Sequence, residues 1–389
     1  MKRIALIASN YPSKGVPVFI FVQQLVHQIV DMGYEVDVIA PQSITARIVR
    51  GAKLRPKHSI EQTEKGNQYH VYRPYYFTAG NASNKAIKKL VKWNHRQAIL
   101  SILTKLSPDV VYGHFWSSVT PVAGYCKKKN LPLFVACGEG DNALEEMVDA
   151  MSKEQIAELN SCMTGMISVS SENRRKCIKF GLISEDRIIV LPNCVNTDLF
   201  VPSQNPELRK KLGVNEDNFL ISFVGGFIHR KGAKRLTDAI DKIQDGTIKA
   251  IFIGAPMPPD EEIPEGNSIV FKGRVEHDDI PQYLNASDLF VLPTLKEGCS
   301  NAIVEALVSG LPVVSSDGPF NDDILNERNS IRVNPMDIEQ IATAIKKFKE
   351  DKEFYNSCKE YLLEYRKNYS IAGRAKNILN FIDQKFNKR

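Results

Sequence analysis

Short apolar runs alternate with longer stretches of helical spacing along most of the chain. Residues 3–9, R-I-A-L-I-A-S, are apolar but too few for a helix, so they predict a buried strand. Residues 19–32 place apolar side chains at 22, 25, 26, 29 and 30, the stripe of a helix with one buried face, and Gly33 caps it. Residues 34–40 return to a strand. The pattern then repeats. Strands are predicted over 109–115, 133–137, 166–171 and 187–193, and later over 219–226, 248–254, 269–274 and 288–293, with a further apolar pair at Val313-Val314. Helices are predicted over 85–105, up to Gly181, from Ala233, and over 301–309, 337–350 and 371–386. Strands that alternate with helices predict an α/β protein with parallel sheets.

The stretch from Glu297 to Asp317, E-G-C-S-N-A-I-V-E-A-L-V-S-G-L-P-V-V-S-S-D, carries the most chemistry. Ser300 is placed as the helix N-cap, Gly310 as the left-handed cap, and Pro312 stops any continuation. Gly298, Cys299 and Ser300 then lie at the carboxyl end of a strand and the amino end of a helix. Backbone N–H groups there lack partners and the helix dipole favours an anion. Glu297 stands beside that position. Glu305, four residues past Asn301, shares its face, while Ile303, Val304 and Leu307 form the apolar side. Glu305 is therefore expected to point away from the core, where a carboxylate suits the paired hydroxyls of a ribose. A second anion site is predicted where the strand ending in Gly225-Gly226 leads through His229-Arg230-Lys231-Gly232 into a helix.

Composition narrows the class. A chain of 389 residues, 43% hydrophobic and 25% charged, predicts two soluble domains. No run approaches the ~18 apolar residues that cross a bilayer. The opening M-K-R-I-A-L-I-A is too short for a signal segment and reads as the first strand. Seven cysteines without a C-x-x-C pair predict a reducing compartment, hence a cytoplasmic location, and no structural zinc. The net charge of +6 is unevenly placed: residues 44–105 hold thirteen Lys/Arg and two Asp/Glu, a balance of +11. Within that block Lys85, Lys88, Lys89, Lys92 and Arg96 fall near one side of a helix, with Trp93 among them. The face is either solvated or meets an anionic surface such as lipid head groups. No aromatic-interleaved nucleic-acid motif accompanies the cations, so no nucleic-acid partner is expected.

The string E-G-x-x-x-x-x-x-E-A-x-x-x-G-x-P-V-V resembles the signature of the retaining nucleotide-sugar glycosyltransferases of family four, the large group 1 family. D-V-V-Y-G-H-F, ending at Phe115, is similar to the family's D-x-I-H-A-H-F, with Tyr112 in place of the first His; L-P-N-C-V-N-T-D-L-F is similar to its linker segment, with Cys194 where glycine is usual. The resemblance implies the GT-B arrangement, two Rossmann-like domains facing a cleft. Residues 1–195, with 371–389 packing back, would be the acceptor domain, and 196–370 the donor domain. It implies retaining transfer of a hexosyl group from a nucleotide diphosphate sugar, UDP before GDP, to a lipid-linked or polysaccharide acceptor.

By the same resemblance His114, Glu297 and Lys231 are catalytic. Gly226, Arg230, Lys231, Arg274, Glu297, Gly298, Cys299, Ser300, Asn301 and Glu305 hold the donor, and Gly15, Glu139 and Asp141 line the acceptor side. Gly226 replaces the family's diphosphate arginine, and Arg230 is the nearby cation that can supply its charge. Lys14-Gly15-Val16-Pro17 lacks the usual Gly-Gly pair, and Cys137 replaces a histidine. Asp278-Asp279 and Asp322-Asp323 read as helix starts rather than a metal clamp, so neither a metal nor another cofactor is expected. Peripheral attachment to the inner face of the membrane through the basic helix follows from a lipid-linked acceptor. Two alternatives share the fold: a nucleotide-sugar epimerase or phosphorylase, and a non-catalytic partner subunit. Oligomeric state is left open.

Overall fold

The computed structural model describes residues 2–13, 19–45, 48, 54–79, 84–140 and 142–387. They form two compact units. Unit 1 comprises the described residues of 1–169, 173–191 and 374–389, and unit 2 those of 170–172 and 192–373.

Unit 1 is built on an eight-stranded sheet in the order β10-β9-β8-β7-β1-β2-β5-β4. The strands are β1 (Arg3–Ala8), β2 (Glu35–Ile39), β4 (His58–Gln62), β5 (Gln68–Tyr72), β7 (Val110–His114), β8 (Leu133–Cys137), β9 (Gly165–Ser168) and β10 (Ile188–Val190); β3 (Gln42–Ser43) and β6 (Tyr75–Tyr76) pair separately. All neighbours in the large sheet are parallel except β4 with β5. β1 pairs on one side with β2 and on the other with β7, so Ile4 lies opposite both Val36 and Val110. Both faces are covered, which is why β7 and β8 are buried at every position. The helix Ile371–Phe386 sends Ile378 and Ile382 into this core and sets Phe381 edge-on to Phe134 of β8.

Unit 2 carries a six-stranded, wholly parallel sheet in the order β13-β12-β11-β14-β15-β16. Its strands are β11 (Phe219–Val224), β12 (Ile248–Ile253), β13 (Ile269–Gly273), β14 (Leu289–Leu292), β15 (Val313–Ser316) and β16 (Ser330–Val333). The order runs outward from β11 in one direction and from β14 in the other. In unit 1 the same reversal falls between β1 and β7. Loops leaving the carboxyl ends of the two central strands diverge at such a point and leave a crevice.

Several expectations are corrected. The run predicted as a strand to residue 171 ends at Ser168, because Ser171 opens the helix Ser171–Lys179 and gives both its N–H and its hydroxyl to Asp323 (2.6 and 2.7 Å). Asp322-Asp323 therefore starts no helix; Asp322 pairs with Arg332 at 2.8 Å. The basic block contains the β4–β5 hairpin, where none was expected.

Candidate functional site

The unit 2 crevice is assembled from the loops after β11 and β14. After β11 the chain passes through Gly225-Gly226 into a single tight turn, His229–Lys231, and then the helix Ala233–Ile243. Gly232 makes this turn possible. Its φ is +77°, and a Cβ there would lie 2.7 Å from the Pro293 carbonyl oxygen and 2.6 Å from Arg235 Nη2. Arg235 is buried and donates to the carbonyls of His229 (2.9 Å) and Pro293 (2.8 Å), tying the two loops together.

Glu297 is the centre of this arrangement. Its Oε1 accepts from Lys231 Nζ at 2.5 Å and Thr294 Oγ1 at 2.8 Å, with Arg230 Nη1 at 3.5 Å. Arg230 also donates to the Lys296 carbonyl at 2.8 Å. The Glu297 and Lys231 side chains are 10% and 17% exposed, so their attraction is only partly screened. Two cations about one carboxylate leave a surplus of positive charge. Thr294 and Arg235 were not anticipated from the sequence; the only pointer to Thr294 is its place at the strand end, three residues before Glu297.

The helix Asn301–Val308 follows directly. Ser300 occupies its N-cap, but its side chain makes no capping bond. The loop is braced instead by Asn193, whose Nδ2 donates to the Cys299 carbonyl (2.9 Å) and to Asn301 Oδ1 (2.8 Å). The L-P-N run contained this residue without revealing its partner. Cys299 is buried, and Gly298 lies between it and Glu297.

Glu305 departs from expectation. Every residue from Ile303 to Val308 is buried, so this helix has no solvent face there for a carboxylate to take. Glu305 is 6% exposed, and His277 Nε2 lies 3.2 Å from its Oε1. Burial opposes a charge on His277, but the bonds to Glu305 and then Asp278 outweigh it and raise the imidazole above its ordinary value. Gly226 tolerates a side chain only if the flexible end of Met257 moves, since its Sδ is 2.5 Å from a Cβ built there. Arg274 is exposed just beyond edge strand β13, away from the central strands β11 and β14.

In unit 1, His114 ends β7 beside the point where the strand order reverses. It is 6% exposed, ringed by Phe19, Phe21 and Phe115, and its Nδ1 has no partner among the described residues. Burial, helped by the charge of Arg374, pulls it down to about 3, so the ring is neutral and offers hydrogen bonds rather than a proton. A depressed folded value means the stabilisation is intact above the ordinary 6.5 and is lost as pH falls toward 3. Denaturant unfolding at pH 7, 6 and 5 should show the wild type losing stability relative to His114→Gln, by about 0.7 kcal/mol over the first unit and about 1.2 kcal/mol over the second. Parallel pH dependences would contradict a buried neutral imidazole.

Glu139 follows β8 and accepts from the Trp116 N–H at 2.8 Å; burial raises its carboxyl above the usual range. Gly15 and Asp141 lie outside the described residues. Lys85, Lys88, Lys89, Lys92, Trp93 and Arg96 occupy the exposed first half of the helix Lys85–Leu106. Ile87, Leu90 and Trp93 are 41%, 54% and 55% exposed, so apolar and cationic groups share that surface. Among the described residues no three His, Cys, Asp or Glu converge as a metal site, and no helix is long and apolar enough to cross a membrane.

Comparison with known proteins agrees with this architecture. Residues 18–199 match the family Glycosyltransferase Family 4, and residues 204–364 match Glycosyl transferases group 1. TuaC, a glycosyltransferase assigned to teichuronic acid biosynthesis in Bacillus subtilis (strain 168), is 25% identical over 90% of this chain and 90% of its own. The UDP-Gal:alpha-D-GlcNAc-diphosphoundecaprenol alpha-1,3-galactosyltransferase of Escherichia coli is 26% identical over 75% of this chain and 79% of its own. Anabaena HepE, solved in complex with UDP-glucose, superposes with a TM-score of 0.71 at 16% identity, covering 99% of this chain and 100% of that one. With two units each built on a largely or wholly parallel sheet, and with the two family matches together spanning most of its length, this chain belongs to the group 1 glycosyltransferases of GT-B fold.

Proposed function

We propose that the protein moves a hexosyl group from a UDP-sugar to a lipid-linked or polysaccharide acceptor, with retention of anomeric configuration and without a metal ion. The observation that carries this reading is the Lys231–Glu297–Arg230 cluster beside the amino end of the helix Asn301–Val308. Its surplus positive charge and the first helix N–H groups, which have no intrahelical acceptor, suit a departing diphosphate. The choice of UDP is supported by the UDP-Gal donor in the Escherichia coli relative's name and by the UDP-glucose bound to HepE.

In this reaction the acceptor oxygen attacks C1 on the face from which the diphosphate departs. The C1–O bond breaks with its electron pair moving to the phosphate oxygen, which takes the acceptor's proton. Lys231 and Arg230 stabilise the developing charge. Glu297 is fixed through Oε1 and keeps Oε2 for a hydroxyl of the donor sugar. Glu305 receives the ribose. The decisive assay incubates the protein with UDP-glucose, UDP-galactose and GDP-mannose in EDTA and determines the anomer of the transferred sugar by NMR. Nucleotide release that requires a divalent ion, or an inverted product, would overturn the mechanism; no turnover of any donor would overturn the activity.

The exposed Lys, Ile87, Leu90 and Trp93 of the basic helix form a surface suited to an anionic bilayer. The protein is expected to float with anionic vesicles at low salt and to detach as salt rises, since screening acts over ~10 Å at 0.1 M. Lys85→Glu with Lys88→Glu should lower attachment at least tenfold, from about 1 kcal/mol per cation doubled by reversal. Equal flotation of wild type and variant would make the face merely solvated.

A further inference from the structure

His277 is a half-buried titratable side chain in unit 2 that the reaction above leaves without a task. It opens the single turn His277–Asp279 that follows β13, whereas Glu305 lies on the helix Asn301–Val308. The two elements meet through one side-chain contact, His277 Nε2 at 3.2 Å from Glu305 Oε1. Among the described residues, no other side chain bonds to the Glu305 carboxylate. The two side chains are 23% and 8% exposed, so little water competes for the bond.

The imidazole is itself held in place. Phe200, fully buried, meets the ring edge-on, with centroids 5.6 Å apart and planes at 66°. Phe200 is fixed in turn through its carbonyl, which accepts from Arg366 Nη2 at 2.9 Å. On the other edge of the ring, Nδ1 lies 3.5 Å from Asp278 Oδ1. An ionised carboxylate only accepts hydrogen bonds, so its partner nitrogen Nε2 carries a proton whether the ring is neutral or charged. The carboxylate has about four acceptor positions. His277 fills one of them on Oε1, which leaves both oxygens able to take a hydroxyl. Vicinal hydroxyls need the two oxygens at one fixed angle. A glutamate side chain that is free to rotate loses entropy when a ligand fixes it, and one fixed beforehand does not.

We propose that His277 is a positioning residue of the donor site: its Nε2–H holds Glu305 Oε1 so that the carboxylate meets the 2′- and 3′-hydroxyls of the nucleotide ribose together. The inference rests on the ribose reading of Glu305 in the preceding section and adds the group that aims it. In this role His277 touches no reacting atom, so it acts on nucleotide affinity and not on the chemical step.

The test compares UDP with 2′-deoxy-UDP by calorimetry on the full chain. The wild type should bind UDP at least tenfold more tightly, because the deoxy compound leaves a buried carboxylate oxygen unpaired. His277→Asn puts its amide where Nδ1 stands, short of Glu305, and should cut that preference at least fivefold. His277→Gln carries an N–H donor to the position of Nε2 and should keep most of it. With a UDP-sugar, His277→Asn should raise KM and leave kcat nearly unchanged. A preference in His277→Asn equal to that of the wild type overturns the assignment. So does its loss in both variants, which would make His277 a packing partner of Phe200 alone. Glu305→Gln separates this inference from the reading beneath it. A preference that survives in Glu305→Gln ends the ribose reading. A preference lost there but intact in His277→Asn leaves Glu305 on the ribose and removes only His277. A wild type that binds both nucleotides equally, or neither, ends both.

Discussion

Lys231→Ala is expected to lower turnover with a UDP-sugar by about 10²–10³-fold, the usual cost of removing one preorganised donor to developing negative charge. Lys231 Nζ sits 2.5 Å from Glu297 Oε1 on a side chain 17% exposed, so it is held in place before any ligand arrives. A charge-assisted contact in that partly desolvated setting is about twice as strong as a neutral one. The variant should still fold, because Thr294 and Arg230 continue to hold Glu297. Lys231→Arg should not restore activity, since a planar fork differs in reach and geometry from a compact ammonium. Steady-state kinetics with calorimetric UDP binding separate the cases. Wild-type kcat and UDP affinity in Lys231→Ala would remove this lysine from the phosphate site and leave it as a structural partner of Glu297.

Glu305→Gln should weaken UDP binding by about 1.5–3 kcal/mol, roughly 10–150-fold, the worth of hydrogen bonds to a charged group. The substitution keeps shape and removes charge. Burial magnifies the effect, because a carboxylate 6% exposed exchanges little with water. Glu297→Gln should behave differently. Its carboxylate is anchored to Lys231 and Thr294, so kcat should fall while UDP affinity changes less. Equal UDP affinity in wild type and Glu305→Gln would end the ribose assignment. A loss in both variants confined to UDP affinity would mean that neither carboxylate touches the transferred sugar.

The sheets were legible because parallel strands buried on both faces are continuous apolar runs. Phe219–Val224 and Leu289–Leu292 are of that kind, and both are central strands. The β4–β5 hairpin was not legible. His58–Gln62 is polar, lies at the sheet edge and is half exposed along its length, so alternation carries little signal. Ser330–Val333 was missed because it has four residues, one of them Arg332. At the site, the motif held Glu297 and Lys231, but the contacts that fix their loops come from Thr294, three residues before Glu297, and from Arg235 and Asn193, which reach Pro293 and Cys299 far along the sequence. Glu305 was misdirected for a definite reason. Helical periodicity assigns one face to solvent, and a helix with six consecutive buried residues has none. The histidine that contacts it, His277, is 28 positions upstream, and no local pattern links the two.

All seven cysteines are buried and none is in a disulfide. Burial pushes the Cys126 and Cys358 thiols up to about 12 and 11, and the neighbouring Cys177 together with burial raises Cys137, so at these three thiolate is scarce as well as inaccessible. The native chain is thus chemically silent toward maleimides, and seven equivalents should react only after denaturation. A single cysteine introduced at an exposed position then becomes a unique attachment point for a fluorophore, with no native residue replaced elsewhere. Met257, 52% exposed and packed over Gly226, places such a dye on the donor loop. Occupancy of the donor site could then be followed by an optical signal from an otherwise native polypeptide.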